Sequence, residues 1–469
     1  MCTYLLTPDE FGMYLTVMAL VSFILAFIAM GMPATISIWI SKAIANNKVD
    51  NVHKIISSSF QITSISVIVF SSLVYMFSTS ITTYVLKDPK MLGLLKVSIL
   101  YLMIAPFKSI FNGVFSGYQL RKYESFSVFI QNIATILIIF ITYSFFREYS
   151  PLISTIIGLF LSLLFSYYVF TNKLLIDNSK IISSQFHLKL LKTMFLFMIP
   201  IGVAEFVEIM MTTIDIMSIK IICNSYDQVS VYSIGKLVAT IVSIIPLSFS
   251  SAFLPYLSSQ RAMGNKINSN DYFEITLFLG IPILSMICFF SKDLLLLLFP
   301  SLYSSASNAT IVLGFGSFFY VIYIICWTLI VTKEGGNMLI YALIPSVIIN
   351  IMFNLFLIPI LGILGAAIGT ASSYLFLTIL MLTKLRKNNE LPSVELSLKI
   401  LKMILLCFPM IVNIIYDHSL MISSTILIIC IWIYLFGYLI TEPNSIISKK
   451  VKYIYKNYCN YSVYTKQHQ

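Results

Sequence analysis

The chain has 469 residues, of which 58% are hydrophobic and only 10% charged. Soluble domains carry about 25% charged residues, so this composition excludes a chain built mainly of soluble domains. Thirty Lys and Arg against 19 Asp and Glu give a net charge of +11, but the basic residues sit in short loops between apolar runs, which argues for membrane topology and against nucleic-acid binding.

Taken in chain order, the apolar runs predict thirteen helices, at 13–40, 56–79, 93–117, 125–146, 151–171, 193–221, 229–257, 272–291, 307–332, 338–358, 362–383, 397–416 and 421–440. A hydrocarbon core of roughly 30 Å needs about 20 apolar residues in helical form. Backbone groups in lipid must satisfy one another, so the runs are helices. The prediction is an all-α polytopic membrane protein. Its divisions are an N-terminal transmembrane bundle (1–171), a cytoplasmic linker (172–192), a C-terminal transmembrane bundle (193–383), two additional helices (384–440) and a basic cytoplasmic tail (441–469).

Alternate loops are rich in Lys and Arg: Lys42, Lys48 and Lys54; Arg121 and Lys122; Lys173 to Lys192; Arg261 and Lys266; Lys333; Lys384, Arg386 and Lys387; and the tail from Lys449 to Lys466. The others hold only Lys87, Lys90, Arg147 and Lys292. This bias places the basic set, and the C-terminus, in the cytoplasm. With thirteen helices, residues 1–12 then lie outside.

Thr7-Pro8-Asp9-Glu10 opens the first long helix as Ser225-Tyr226-Asp227-Gln228 opens the seventh, at an offset of 218 residues. A full helix precedes the second copy and only six residues the first. The repeat therefore predicts a further helix upstream of Met1, ending at about Leu6; chance similarity of two amphiphilic helices is the alternative. An even number of helices separates the copies, so they have the same polarity, as in transporters with parallel repeats.

Ionisable residues at bilayer depth cost roughly 2.5–3.5 kcal/mol and are functional candidates. Glu205 and Glu208 sit near the middle of helix 193–221, with Asp215 two turns outward on one stripe. Lys108 lies near the middle of helix 93–117, and Lys236 in the outer third of 229–257. In one reading the lysines attract an anionic head group and the carboxylates take up H+ or Na+. In the other, Asp215 and Lys236 neutralise each other and lock two helices. Lys96, Lys220, Lys399 and Lys402, near helix ends, are expected to snorkel to the interface. The scattered cysteines show no CxxC spacing, which predicts neither a metal site nor a disulfide framework. No nucleotide-binding, HExxH or GxSxG motif is present, so no cofactor and no enzymatic activity are expected.

Three segments carry a resemblance. They are Leu6-Thr-Pro-Asp-Glu-Phe-Gly-Met-Tyr14; Val231-Tyr232-Ser-Ile-Gly-Lys236 with Leu254-Pro255; and Lys333-Glu-Gly-Gly-Asn-Met338 followed by Asn350, Asn354-Leu-Phe-Leu-Ile-Pro359 and Gly362-Ile-Leu-Gly365-Ala-Ala-Ile-Gly369-Thr370. Together they resemble the polysaccharide flippases of the multidrug/oligosaccharidyl-lipid/polysaccharide exporter superfamily, which act in O-antigen and capsule assembly. The small residues from Gly362 to Ser373 equally suit close helix packing. The resemblance implies two helical bundles related by a pseudo-two-fold along the membrane normal, around a V-shaped central cavity. It implies movement of undecaprenyl-pyrophosphate-linked oligosaccharide repeat units from the cytoplasmic to the outer leaflet of a bacterial inner membrane by alternating access, for O-antigen, capsule or exopolysaccharide. Lys108 and Lys236 would bind substrate, and Glu205, Glu208 and Asp215 would be coupling-ion candidates. Partners would be the lipid-linked oligosaccharide, membrane lipid, and polysaccharide polymerase and chain-length proteins. The alternatives are a cation-coupled multidrug antiporter of the same superfamily and an O-antigen polymerase.

Overall fold

A computed structural model describes residues 2–46, 49–174, 188–262, 269–334, 339–388 and 394–407, together with 429–431, 433–435, 437–438 and 441. Among the described residues the chain is helical almost throughout. The α-helices are α1 (Cys2–Leu5), α2 (Pro8–Ala29), α3 (Met32–Ala45), α4 (Val49–Ser80), α5 (Leu92–Gly117), α6 (Arg121–Phe146), α7 (Ser150–Lys173), α8 (Leu188–Cys223), α9 (Tyr226–Ala262), α10 (Ser269–Leu298), α11 (Ser307–Glu334), α12 (Leu339–Leu361), α13 (Ile363–Lys387) and α14 (Val394–Leu406). Ten stretches among the described residues are long and apolar enough to cross a membrane, and one of them, Arg121–Lys173, holds both α6 and α7. The fold is that of an all-α multi-spanning membrane protein, as the apolar runs predict. Of the helices expected at 397–416 and 421–440, residues 408–416 of the first and the greater part of the second lie outside the described residues.

One predicted helix is two. The run from 13 to 40 breaks between α2 and α3, where Met30 (φ 40, ψ 44) and Gly31 (φ 73) both adopt the left-handed conformation. The cause is local. Gly31 reaches positive φ at no steric cost, and Pro33, in the first turn of α3, has no N–H to continue the ladder. The break also lets two backbones meet, since a Cβ on Gly202 of α8 would lie 2.7 Å from the Met30 carbonyl carbon.

The caps explain where the repeated segments start. Thr7 Oγ1 accepts from the Glu10 N–H at 3.3 Å, and Glu10 Oε2 accepts from the Thr7 N–H at 2.9 Å. This capping box starts α2 at Pro8. At the matching offset Ser225 Oγ accepts from the Gln228 N–H at 3.3 Å and starts α9.

The chain divides into two compact units. The first comprises Met1–Ser233 with Asn354–Gly362; the second comprises Ile234–Phe353 with Ile363–Gln469. In the first unit α5 is the central element. Its Leu94, Leu95 and Leu102 pack with Val17, Val21 and Ile28 of α2 and Leu152 of α7. Toward its other end Ile110, Phe111 and Phe115 pack with Ile36 and Ile40 of α3 and Phe170 of α7. Helices in lipid gain no hydrophobic drive from touching, so they associate through close packing at small residues. Gly113 and Gly117 serve that purpose: a Cβ on them would lie 2.7 Å from Pro33 O and 2.8 Å from Ile40 Cβ.

In the second unit α11 lies along α13. Gly316 meets Ala371, where a Cβ would be 3.1 Å from Cα, and Tyr320 packs on Tyr374 with ring centroids 5.1 Å apart. Gly365, Ala366, Ala367, Gly369, Thr370 and Ser373 are all buried. That stretch therefore packs, as its composition allows. Cys430, Tyr434 and Tyr438, spaced four apart, dock along α10: Cys430 packs with Phe290, and the two tyrosine rings lie 5.3 and 4.8 Å from Phe278.

Candidate functional site

In the first unit the predicted membrane carboxylates on α8 have three different environments. Asp215 is fully buried. Tyr232 Oη donates to its Oδ2 at 2.8 Å, and Asn354 Nδ2 donates to its Oδ1 at 3.1 Å. Asn354 belongs to the Asn-Leu-Phe-Leu-Ile-Pro segment, so that asparagine touches a membrane carboxylate. Neither Tyr232 nor Asn354 stands out in sequence as a partner of Asp215, because residues 17 and 139 positions away on other helices are matched only by folding.

Glu205, ten residues nearer the basic-loop end, is half-buried and accepts a hydrogen bond from the Gly31 backbone N–H. This places a carboxylate at the first turn of α3, where the helix leaves N–H groups unpaired and the dipole favours negative charge. The break at Met30–Gly31 creates that N-terminus inside the apolar run. Phe206 packs beside it on Phe27 at 4.5 Å. Glu208 is exposed.

Lys108 is buried on α5. Its Nζ donates to Gln131 Oε1 of α6 at 2.7 Å, and the charge of Glu124, also on α6, reaches it. The seam continues in hydroxyls, with Ser127 Oγ 2.7 Å from Ser162 Oγ and 2.9 Å from Ser166 Oγ of α7. Lys236 is half-buried on α9 in the second unit. It follows Gly235, where a Cβ would lie 2.8 Å from Thr310 Oγ1 of α11.

Two lysines expected to snorkel are enclosed instead. Lys220 of α8 is 2% exposed. Its Nζ stands 3.7 Å from the Tyr226 ring centroid and donates to Asn224 Oδ1 at 2.8 Å, while Tyr226 Oη donates to Asp88 Oδ2 at 2.8 Å. The elbow between α8 and α9 folds back over its side chain, so an aromatic face and an amide replace water. Gly12 makes this possible, since any Cβ there would strike the Tyr226 carbonyl. Lys399 of α14 pairs with Glu274 of α10 at 2.8 Å in the second unit. Tyr438 Oη donates to the other carboxylate oxygen at 3.1 Å. Glu274 was not singled out by the sequence, because its partner lies 125 positions away.

Among the described residues no group of three His, Cys, Asp or Glu side chains could hold a metal ion. The charged groups placed above are held by amides, hydroxyls and backbone N–H groups and, for Lys399 and Glu274, by each other.

Comparison with known proteins follows the same lines. A model of the polysaccharide biosynthesis protein family matches residues 1–261. The probable lipid II flippase MurJ of Borreliella burgdorferi is 25% identical over 332 residues, which are 66% of this chain and 63% of that protein. The chain thus spans less than two thirds of that relative's length. An uncharacterized membrane protein of Methanocaldococcus jannaschii is 22% identical over 399 residues, 81% of this chain and 78% of its own. Among solved structures, lipid II flippase MurJ in an inward closed conformation aligns with a TM-score of 0.71 and 18% identity, covering 93% of this chain and 98% of that one. An inward-facing multidrug resistance MATE family transporter of the MOP superfamily aligns at 0.64 with 13% identity, covering 81% and 90%. Likeness at these identities is likeness of fold.

Proposed function

Because the chain belongs to the polysaccharide biosynthesis protein family, we propose that it is a flippase for a lipid-linked oligosaccharide. On this reading it carries undecaprenyl-pyrophosphate-linked repeat units from the cytoplasmic to the outer leaflet of a bacterial inner membrane, for O-antigen, capsule or exopolysaccharide assembly. The observation that carries the reading is the family match over residues 1–261, more than half of the chain. The relative named a probable lipid II flippase supports a lipid-linked substrate.

The charges suit that task. A sugar-pyrophosphate crossing a low-dielectric interior needs counter-charge. Lys108 and Lys236 supply it at bilayer depth, Lys108 with its ammonium steadied by Gln131. Glu205, Glu208 and Asp215 are the groups that would take up H+ or Na+ and couple the cycle to an ion gradient. Polysaccharide polymerase and chain-length proteins would take the product. A second reading, a cation-coupled multidrug antiporter, is favoured by one observation: three carboxylates lie along a single helix, α8, at bilayer depth.

The test is surface polysaccharide in cells carrying Lys108→Ala or Lys236→Ala, with protein abundance in the membrane measured alongside. Loss of polysaccharide at normal abundance, with partial recovery in Lys108→Arg, is the expected result. Normal polysaccharide in both alanine variants removes the lysines from the mechanism. Unchanged polysaccharide on deleting the whole gene, with increased sensitivity to lipophilic cations, favours the antiporter.

A further inference from the structure

The first unit holds a second feature, away from the membrane charges on α8. A cavity of about 590 Å³ opens between α4, α5 and α7. Its walls include Phe60, Phe107, Phe111, Leu164, Tyr167 and Phe170, and its exposed lining is almost wholly apolar. The aromatic wall is built: Phe60 stacks on Phe107 at 6.1 Å and meets Phe111 edge-on at 5.7 Å, and Phe111 meets Phe170 at 5.6 Å. The mouth lies on a face whose neighbours are apolar and exposed, among them Ile65, Ile68, Leu161 and Tyr168. Such a face meets hydrocarbon.

The lining residues of α5 and α7 sit in the last three turns before the basic loops. One turn beyond Phe170 on α7 comes Lys173, whose Nζ donates to Tyr123 Oη at 2.8 Å and stands 5.2 Å from that ring. Lys122 stands 5.1 Å from the same ring, and Arg121 precedes it. One turn before Ser57, which lines the cavity from α4, comes the exposed Lys54. Several cations therefore collect at the loop end of an apolar slot. Two ammonium groups on one tyrosine ring repel each other, and an anion between them would relieve that repulsion.

We propose that this slot binds the hydrocarbon chain of a polyprenyl phosphate lipid, with the phosphate at the cluster of Lys54, Lys122 and Lys173. Charge complementarity selects the occupant: a phosphate monoester, or a pyrophosphate that links lipid to sugar, carries more negative charge than the single phosphodiester of a common phospholipid, and the rim offers several cations for one head group. The choice of a polyprenyl chain rests on the flippase reading above. The slot would hold the carrier lipid on the loading side, before its pyrophosphate reaches Lys108 and Lys236.

The test uses the full chain in nanodiscs with a photoactivatable undecaprenyl phosphate, and crosslinked peptides mapped by mass spectrometry. Crosslinks in 57–65 and 163–170 are expected. Ser64→Phe and Leu164→Trp, on opposite walls, should each weaken labelling by about fourfold per displaced methylene. Lys54→Gln and Lys173→Gln should each weaken it by about fivefold. A photoactivatable phosphatidylglycerol should label the same peptides far less. Absence of label there, equal labelling by phosphatidylglycerol, or labelling indifferent to all four substitutions overturns the proposal. The readout is lipid binding alone: a chain that binds the probe here yet leaves surface polysaccharide unchanged on deletion defeats the flippase reading and keeps the slot.

Discussion

Lys399→Met and Glu274→Leu remove the two halves of one ion pair, and the structure predicts unequal costs. The Glu274 side chain is 3% exposed and that of Lys399 17%. Without Lys399, the carboxylate stays buried and still accepts from the Tyr438 hydroxyl at 3.1 Å. An uncompensated buried charge of this kind costs about 3–5 kcal/mol. Without Glu274, the lysine stem can swing its ammonium toward water, at a cost of about 1 kcal/mol. Replacing both with apolar side chains leaves no orphan charge, so the double variant should lie near the wild type. The assay is thermal unfolding of the purified protein in detergent. Lys399→Met should lower the midpoint by roughly 3–5 °C, Glu274→Leu by about 1 °C, and the double variant should recover most of the loss. Equal losses for the two single variants, or additive losses in the double, would refute the account of Glu274 and Lys399 as a buried ion pair.

Gly31→Ala should destabilise the protein by at least about 1–2 kcal/mol, because alanine pays for positive φ, and its Cβ would also lie 2.7 Å from Ile201 Cγ2. Thermal unfolding measures it, and an unchanged midpoint would show that the break between α2 and α3 is not held as described. Tyr226→Phe removes the bond to Asp88 that closes the elbow over Lys220, at about 1.5 kcal/mol for a bond to a charged group. The adjacent half-buried Cys223 reports it: with the other cysteines replaced by serine, labelling by a membrane-impermeant maleimide should rise several-fold, and an unchanged rate would sink the closure.

Much of the architecture was legible because lipid imposes it. A run of apolar residues long enough to span a bilayer has no alternative to helix, so the positions of α4 through α13 follow from hydropathy and the caps at Thr7 and Ser225 from local hydrogen bonding. Even the break at Met30 had a local signature in Gly31 and Pro33. The membrane carboxylates and lysines were legible too, since a charge in an apolar run is conspicuous. Their surroundings were not. Whether Lys399 reaches water or Glu274, whether Asp88 closes Tyr226 over Lys220, and which asparagine touches Asp215 are questions about residues more than 100 positions apart in the chain. Glu205 shows both sides of the matter: its charge can be read from sequence, but only the packing of α8 against the α2–α3 break brings that carboxylate to the N–H of Gly31. Hydropathy acts on each segment by itself and determines the helices. The partner of each buried charge depends on which helix faces meet, and tertiary packing alone decides that.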